Sequence, residues 1–392
     1  MQPPADKSYP YRARLDRLRD ALGVAGLDAF VVSHLPNLRY LTGLNATAGA
    51  VAVTADACTL AVDFRYRTAA ERALADHAPG VIRLEMVDAS VDEWLADHLE
   101  RTGASRIGIE AGAMTVGRFN RLSAALATRV PLPGARPGGC PALVPTERVV
   151  EALRLVKDEV EIATLREAGR RIAQVAAELP GFVRTGREEQ AVAGDIEFAL
   201  RARGFERPAF ETIVASGPNA ALPHARPGSR LLRAGEAVVL DFGGVYDGYC
   251  VDLTRTLRLG EQPPALRRLF AAVAEAHAAA LRAVRPGALP SDIDGAARRV
   301  LEAHGLGEAF GHGTGHGLGL EVHEEPRIGR PLAGRPENPV AAGMVFTIEP
   351  GAYVAGVGGV RIEDDVLVVE GGCEVLTPVP GDLDAPRGSW TD

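Results

Sequence analysis

The chain has 392 residues, which is long for a single hydrophobic core and fits two domains. Hydrophobic residues make up 46% and charged residues 24%, as in ordinary globular proteins, and a net charge of −8 excludes a general affinity for nucleic acid or anionic membranes. The four cysteines are far apart, and neither a signal-peptide pattern nor an apolar run of membrane-spanning length occurs, so we expect a cytoplasmic protein without a disulfide framework.

The first third of the chain alternates helix and strand patterns. Leu15, Leu18 and Leu22 recur at helical spacing before Gly23 and Gly26 end the run. Short apolar runs predict strands at Ala29–Ser33, Ala50–Thr54, Thr59–Val62 and Arg106–Glu110, with helices around Arg67–Ala75 and Val91–Leu99. Strands that alternate with helices indicate an α/β domain.

A segment rich in proline and glycine follows, at residues 131–141, and Pro145 comes shortly after it. Such a composition can continue neither a helix nor a central strand, so it predicts a linker. We therefore place the domain boundary there and assign residues 1–145 to the first domain and 146–392 to the second.

The second domain opens with helices and continues with strands. Helix-start signals occur at Asp158 with Glu161, at Thr185 with Glu188, and at Ser291, which precedes another helical run. Strand-like runs lie at Glu211–Ala215, Ala237–Gly243, Cys250–Leu257, Met344–Ile348 and Val360–Val369. Because the helices are grouped and few per strand, we predict an α+β layout.

Two aspartates lie on neighbouring strand-like runs. Asp241 follows three apolar residues, and Asp252 lies beyond a short turn at Tyr246-Asp-Gly. Capping by the backbone or by Arg255 would explain one such aspartate. Two inward-facing carboxylates side by side are better explained by a bound cation, because burying unpaired charge is costly.

A glycine-rich segment runs from Phe310 to Glu324 and contains three histidines. It is not a phosphate-binding loop, because no Gly-Lys-Ser/Thr sequence or Rossmann spacing follows. A flexible surface loop is also disfavoured, since Leu318, Leu320 and Val322 alternate as in a strand and would anchor the segment in a sheet.

Two further strand-like runs deliver glutamates, Glu349 and Glu363. Each alone could be a salt-bridged strand residue, with Arg361 as a partner. Together with the aspartates and a histidine they form a donor set dominated by hard oxygen ligands, which favours Mn²⁺ or Co²⁺, with Zn²⁺ a further possibility. Four carboxylates balance the charge of two divalent ions better than that of one.

These motifs resemble those of the metallopeptidase group that contains aminopeptidase P, prolidase and methionine aminopeptidase. The segment His-Gly-Thr-Gly-His-Gly-Leu-Gly-Leu-Glu-Val-His-Glu, the paired aspartates and the Thr-Ile-Glu-Pro-Gly and Arg-Ile-Glu-Asp-Asp motifs stand in the group's order. The resemblance implies an α/β creatinase-like N-terminal domain followed by an α+β pita-bread catalytic domain. It implies that Asp241 holds one metal, His316 and Glu349 hold the other, and Asp252 and Glu363 bridge both.

The same resemblance implies roles outside the metal ligands. His224 matches a histidine near the substrate and the oxyanion, His323 one that assists proton transfer, and Glu349 is expected to act as the proton acceptor. His312, Tyr353 and Arg361 match residues that line the substrate pocket. These positions, with His224 and His323, form the expected substrate-binding set.

The expected activity is removal of an N-terminal residue that precedes proline, as in an Xaa-Pro aminopeptidase, with an Xaa-Pro dipeptidase (prolidase) as the alternative. A non-peptide hydrolase or lyase on the same fold, or a binding protein with a decayed site, remains open because fold alone does not fix reaction. The expected partners are proline-containing peptides and a second copy of the chain in a homodimer, with no nucleic acid and no membrane.

Overall fold

The computed structural model describes residues 10–77, 79–88, 90–127 and 141–381. Contacts divide the chain into two compact units, Met1–Arg154 and Leu155–Asp392. Of the predicted linker at residues 131–141, only Pro141 lies within the described residues, so the boundary at residue 145 stays a prediction. Among the described helices, none is both long enough and apolar enough to cross a membrane.

The first unit alternates strands with helices. Its described strands are β1 (Ala29–Val32), β2 (Ala50–Thr54), β3 (Cys58–Val62), β4 (Arg83–Met86), β5 (Arg106–Glu110) and β6 (Ala142–Thr146). Its described helices are α1 (Tyr11–Ala25), α2 (Leu35–Thr42), α3 (Arg67–His77), α4 (Val91–Thr102), α5 (Val116–Ala127) and α6 (Val149–Arg154).

These strands form one mixed sheet in the order β4-β3-β2-β1-β5-β6. Strands β1, β2 and β3 pair antiparallel, whereas β4, β5 and β6 join parallel to their neighbours. Because β1 to β3 are buried almost throughout, their sequences are continuous apolar runs. The predicted α/β architecture of this domain is confirmed.

The second unit groups its helices around antiparallel sheets. Its described helices are α7 (Glu159–Ala176), α8 (Leu179–Phe182), α9 (Glu189–Ala202), α10 (Pro264–Ala283) and α11 (Pro290–Ala303). Its described strands are β7 (Arg207–Pro208), β8 (Ile213–Ser216), β9 (Glu236–Tyr246), β10 (Tyr249–Leu259), β11 (Gly315–Gly317), β12 (Glu324–Ile328), β13 (Val345–Ile348), β14 (Gly351–Val354), β15 (Gly358–Arg361), β16 (Asp364–Val369) and β17 (Gly372–Val375).

The strands of the second unit form two larger sheets and a small one. Strand β9 pairs with β10, β7 and β8, while a second sheet has the order β12-β11-β13-β16-β17 and β14 pairs with β15. Apolar side chains of α10 and α11, including Val273 and Ile293, pack with Phe346 and Val366 of the second sheet in one core. The predicted α+β layout is confirmed.

Two predicted helix starts are misplaced. Helix α9 begins at Glu189 rather than after Thr185, because its first amide groups donate to the backbone carbonyls of Arg230 and Gly228 and need no hydroxyl cap. Helix α11 begins at Pro290, so Ser291 lies inside its first turn, as proline favours the first helical position. At α7, the predicted cap of Asp158 with Glu161 is confirmed as a reciprocal capping box.

Two predicted strands are also wrong. The run Val360–Val369 is divided into β15 and β16, which pair with different strands, and the chain crosses between sheets at Glu363, whose amide donates to the Thr254 carbonyl. Leu318, Leu320 and Val322 are not in a strand, because a turn closed by Gly319 N–H and the Glu321 carbonyl separates β11 from β12.

Candidate metal centre

The two candidate aspartates lie on the β9–β10 hairpin. Asp247 and Gly248 form its two-residue turn with φ values of 48° and 78°, the left-handed conformation that short hairpins favour. Asp241 is opposite Thr254, and Asp252 lies two residues from Thr254 on the same strand. Side chains two residues apart point to the same face of a sheet, so the hairpin brings both carboxylates together, as predicted.

The glycine-rich segment delivers His316 on β11 between two close backbone contacts. A Cβ atom on Gly315 would overlap the carbonyl oxygen of Thr347, and one on Gly317 would overlap that of Glu325. Glycine at both positions therefore allows β11 to lie against the neighbouring strands. The composition that distinguishes this segment in the sequence is explained by packing around a histidine.

Helix α11 holds the start of this segment through a buried ion pair. Arg298 forms hydrogen bonds of 2.8 and 2.9 Å with Asp294, and its guanidinium also donates to the carbonyls of Phe310 and His312. Asp294 in turn accepts the amide and hydroxyl of Thr314. The segment that carries the histidines is thus fixed by specific bonds from a rigid helix.

The two candidate glutamates lie where strands end. Glu349 follows β13, and its amide donates to the Thr314 carbonyl at 2.7 Å, which ties it to the glycine-rich segment. Glu363 lies between β15 and β16 and accepts the Thr254 hydroxyl at 2.5 Å. Both glutamates therefore face the carboxylates of the hairpin.

The predicted ligands meet in one cluster. Ligand atoms of Asp252, His316 and Glu363 all lie within 4.8 Å of one another. His316 Nε2 lies 3.5 Å from Glu349 Oε1 and 3.9 Å from Asp252 Oδ2. Asp241 joins the cluster electrostatically, since its charge raises the pKa of Asp252, Glu349 and Glu363.

Burial and mutual repulsion oppose the ionisation of these carboxyl groups. Burial is the largest cause of the raised pKa of Asp252 and of Glu363, and neighbouring carboxylates raise both further. For Glu349, burial raises the pKa to about 7 against the lowering effect of Arg361. Without a counter-charge, the cluster is therefore unfavourable in its ionised form.

His316 directs an unprotonated nitrogen toward these carboxylates. Burial lowers its pKa to about 4, so the ring is neutral near pH 7. Its Nδ1 lies 3.1 Å from the Gly317 carbonyl oxygen, which can only accept, so Nδ1 carries the proton. The lone pair of Nε2 then faces carboxylate oxygens, an arrangement that is repulsive unless a cation lies between them.

The donor set fits divalent cations. Asp241 Oδ1 and Asp252 Oδ1 are both buried without a hydrogen-bond partner among the described residues. Orphaned carboxylate oxygens, raised carboxyl pKa values and an imidazole lone pair in one cluster are all satisfied by metal coordination. The arrangement therefore fits a metal site built from oxygen donors and one nitrogen.

The cluster lies in a cavity of about 940 Å³. All ten residues predicted for the site line it, namely Asp241, Asp252, His316, Glu349, Glu363, His224, His312, His323, Tyr353 and Arg361. His323 packs against His316 with their ring centroids 4.3 Å apart. The cavity therefore holds an acidic centre with neighbouring imidazole groups that can transfer protons.

A chain of polar contacts leads away from the cluster. Arg361 forms an ion pair with Asp241, rather than with a glutamate as the sequence suggested, and donates to the Tyr353 hydroxyl at 2.7 Å. Tyr353 lies 3.1 Å from Nε2 of His312. Arg255, the alternative partner considered for one of the aspartates, pairs with Asp364 instead.

One cavity residue was missed by the sequence reasoning. Arg327 lines the cavity and lies directly opposite His316 in the β11–β12 register. Its guanidinium donates to the Arg330 carbonyl and forms no ion pair among the residues that the structure describes. The position of Arg327 beside His316 can be recognised only from the strand pairing, since Arg327 lies outside the metal-ligand motifs of the sequence.

An acidic cluster with one imidazole in a cavity is the arrangement that metal-dependent catalysis requires. Residues 163–370 match the family described as Metallopeptidase family M24, and residues 14–156 match the Creatinase/Prolidase N-terminal domain. The chain belongs to metallopeptidase family M24, and it is a peptidase with a creatinase-like N-terminal domain followed by a pita-bread catalytic domain. The family resemblance, the fold class and the enzyme class expected from the sequence are thereby confirmed. The family also implies the use of a divalent metal.

Relatives of known name cover nearly the whole chain. An uncharacterized peptidase, YqhT, of Bacillus subtilis is 35% identical and covers 94% of this chain and 99% of its own. An Xaa-Pro dipeptidase of Pyrococcus horikoshii is 31% identical and covers 91% of this chain and 94% of its own.

Solved structures of the same architecture include both kinds of Xaa-Pro peptidase. An Xaa-Pro dipeptidase from Bacillus anthracis has a TM-score of 0.87 at 32% identity, with 95% of this chain and 99% of that chain covered. An X-Pro aminopeptidase from Thermotoga maritima has a TM-score of 0.81 at 30% identity, with 93% and 99% covered.

Proposed function

We propose that the chain is an Xaa-Pro dipeptidase that uses two divalent ions, Mn²⁺ in preference to Co²⁺ or Zn²⁺, to hydrolyse the bond before a C-terminal proline. The observation that carries this proposal is the position of Arg327, a cavity arginine opposite the metal-ligand candidate His316. A dipeptide places a free carboxylate next to the scissile bond, and a guanidinium is the side chain best suited to bind it.

The comparisons support the dipeptidase alternative better than the aminopeptidase expected from the sequence. Named relatives with broad coverage include Xaa-Pro dipeptidases, and so does a solved structure with a TM-score of 0.87. The sequence argument for an aminopeptidase depended on the short N-terminal domain with its Asp63-Phe-Arg-Tyr segment and on the lack of an identifiable carboxylate-binding residue. Arg327 removes the second of these arguments.

Each residue of the cavity has a distinct part in the proposed reaction. Bound at Asp241, Asp252, His316, Glu349 and Glu363, divalent ions would polarise the scissile carbonyl and lower the pKa of the attacking water. Glu349 accepts the proton of that water and returns it to the proline nitrogen, assisted by His323. His224 donates a hydrogen bond to the oxyanion that develops on the carbonyl.

The proposal is tested by comparing matched substrates. We expect kcat/KM for Ala-Pro to exceed that for Ala-Pro-amide by about 10- to 100-fold, because a hydrogen bond to a charged group contributes about 1.5–3 kcal/mol. Arg327→Met should bring the two values together by raising KM for Ala-Pro. The measurement is kcat/KM with excess Mn²⁺ for both substrates and both proteins.

Arg226 provides the matched control. It also lines the cavity, but its guanidinium lies 3.4 Å from Glu211 in an exposed ion pair. Arg226→Met should leave the ratio between Ala-Pro and Ala-Pro-amide unchanged. Equal cleavage of Ala-Pro and Ala-Ala would remove proline from the proposal altogether.

An Xaa-Pro aminopeptidase is the second candidate. A cavity of about 940 Å³ lies at the upper end of ordinary ligand pockets and leaves room for residues after proline. Preference for Ala-Pro-Ala over Ala-Pro in kcat/KM would favour this activity. Homodimer formation, which follows from the resemblance alone, and a cytoplasmic location, which follows from the sequence composition, stay predictions.

A further inference from the structure

His224 is carried by a loop rather than by a helix or strand. We define the His224 loop as residues 217–230, which follow β8 and precede β9. The His224 side chain is exposed in the cavity, so few contacts of the side chain itself fix its position. Near it, Arg361 donates to the Pro223 carbonyl at 3.4 Å, and Ala225 packs in a small apolar cluster.

One buried carboxylate accepts hydrogen bonds from both ends of this loop. At the start, the Ser216 amide and hydroxyl donate to Glu189 Oε1 at 2.8 and 2.7 Å, and the Asn219 amide group donates to both carboxylate oxygens at 3.1 and 3.0 Å. At the end, the Gly228 amide donates to Glu189 Oε2 at 3.4 Å. Glu189 itself is fully buried.

The backbone around Glu189 adds to this connection. The Glu189 amide donates to the Arg230 carbonyl and the Gln190 amide to the Gly228 carbonyl, each at 3.0 Å. Arg230 donates to the Ser216 hydroxyl at 2.5 Å, which closes the loop at its base. The first turn of α9 therefore holds the loop through one carboxylate and two backbone bonds.

The carboxylate is the part of this arrangement that a substitution can remove. All the bonds that reach Glu189 come from donors, so both of its oxygens must accept. Glutamine has nearly the same shape but would place an NH₂ donor against other donors, and a buried donor without an acceptor is costly. The loop ends would then separate, and the loop would lose its single preferred position.

We propose that Glu189 is a positioning residue that places His224 for its work in the cavity. The inference rests on the role given to His224 in the proposed function. Glu189 touches neither the metal-ligand candidates nor the cavity lining, so its effect on turnover passes through the loop.

The test is a double-mutant cycle on the full-length, metal-loaded enzyme. We expect His224→Ala to lower kcat about 10²- to 10³-fold, as for other single oxyanion donors. Glu189→Gln should lower kcat about 10- to 100-fold, because small displacements of catalytic groups have effects of this size, with KM changed less than about twofold. In the His224→Ala background, Glu189→Gln should lower kcat by less than about threefold, since coupled residues are not additive.

Glu161→Gln provides the matched control. Glu161 is also a buried glutamate in the first turn of a helix, where it accepts the Asp158 amide at 3.0 Å and the Tyr249 hydroxyl at 3.1 Å. It has no contact with the His224 loop among the described contacts. We expect kcat within about twofold of wild type for this variant, whatever its loss in unfolding temperature.

The possible outcomes separate the inference from the proposed function. Wild-type turnover of His224→Ala would overturn the role of His224 and the inference with it. Loss of turnover in His224→Ala, combined with an equal factor for Glu189→Gln in both backgrounds, would overturn only the positioning role. If Glu189→Gln does not fold, Asn219→Ala removes the largest set of side-chain donors to the carboxylate and is subject to the same criterion.

Discussion

Glu363 shows how one residue can favour opposite states of the protein with and without metal. It is 2% exposed, and burial together with Glu349 and Asp241 raises its pKa well above 4.5. In the metal-free protein it therefore contributes repulsion and desolvation cost. In the proposed metal-loaded protein the same carboxylate would be a ligand, so a residue proposed to bind metal is also one that destabilises the empty site.

Because the Glu363 charge destabilises the metal-free site but favours metal binding, its removal should have opposite effects on the stability of the metal-free protein and on its metal affinity. Glu363→Gln keeps an acceptor for the Thr254 hydroxyl but removes the charge. We expect the metal-free variant to unfold at a higher temperature than the metal-free wild type at pH 7.5, and its Mn²⁺ affinity to fall at least about tenfold. Thermal unfolding with a chelator and calorimetric titration with Mn²⁺ measure the two effects.

Glu370, which is exposed on the neighbouring turn, supplies the control for that variant. Glu370→Gln removes the same charge from the chain and should change neither quantity. A metal-free Glu363→Gln protein less stable than wild type would mean that its hydrogen bond with Thr254 outweighs the repulsion.

At the scale of elements, the glycine-rich segment can be tested residue by residue. Gly315→Ala places a Cβ against the Thr347 carbonyl, whereas Gly311→Ala meets nothing within 4 Å. Overpacking a tight contact costs about 1–3 kcal/mol, so Gly315→Ala should lower the unfolding temperature and weaken metal binding by displacing His316. Gly311→Ala should match wild type in both measurements.

Comparing the two alanine variants separates an effect of tight packing around the glycines from an effect of backbone flexibility. If the segment were simply a mobile loop, both substitutions would have similar small effects. Equal metal affinity and unfolding temperature for Gly315→Ala and wild type would contradict the packing explanation of this motif.

Elements with local signals could be predicted from the sequence. The β9–β10 hairpin follows from two apolar runs around Asp247-Gly248, and the α7 start follows from the spacing of Asp158 and Glu161. The start of α9 could not be predicted, because its capping groups are the carbonyls of Gly228 and Arg230, far along the chain. Long-range backbone bonds leave no trace in local sequence.

The residues of the candidate site also divide into those that the sequence could predict and those that it could not. The carboxylates were found because each lies on an apolar strand-like run, and His316 was singled out among the three histidines of the glycine-rich segment by the family resemblance. Arg327 was missed because its importance depends on the register that sets it opposite His316. Glu189 was missed for a related reason, since a buried glutamate at the start of α9 looks like an ordinary first-turn acid until the His224 loop is seen around it.

At the scale of the whole molecule, the titrating groups oppose one another below neutral pH. His312 and His316 have pKa values lowered by burial from 6.5 to about 4, so they reduce stability as the pH falls below 6.5. The buried carboxyl groups have raised pKa values, so they reduce stability as the pH rises above their unfolded values near 4. Above about pH 7.5, one unit beyond the unfolded pKa of 6.5, these histidines are neutral in both states, and the carboxyl effect remains.

The upper limit of this window is set by the cysteines. Burial raises the pKa of Cys58 and of Cys250 from 9.0 to about 12, so both thiols reduce stability once unfolded thiols begin to ionise. Between about pH 7.5 and about pH 8.5, therefore, the metal-site carboxyl groups dominate the pH dependence of the metal-free protein. In that window the folded state holds more protons than the unfolded state, so its stability must fall as the pH rises.

We therefore predict that the unfolding temperature of the metal-free protein falls steadily from pH 7.5 to pH 8.5. Mn²⁺ should reverse the trend, because the ionised carboxylates bind it and binding at about 100 times Kd adds about 2.7 kcal/mol to the stability of the folded state. The measurement is the unfolding temperature at four pH values in chelator and in excess Mn²⁺. The Mn²⁺-induced increase should grow with pH. An increase that is the same at pH 7.5 and pH 8.5, with a flat metal-free profile, would mean that the carboxylates are already ionised without metal and that the repulsion inferred for the cluster is absent.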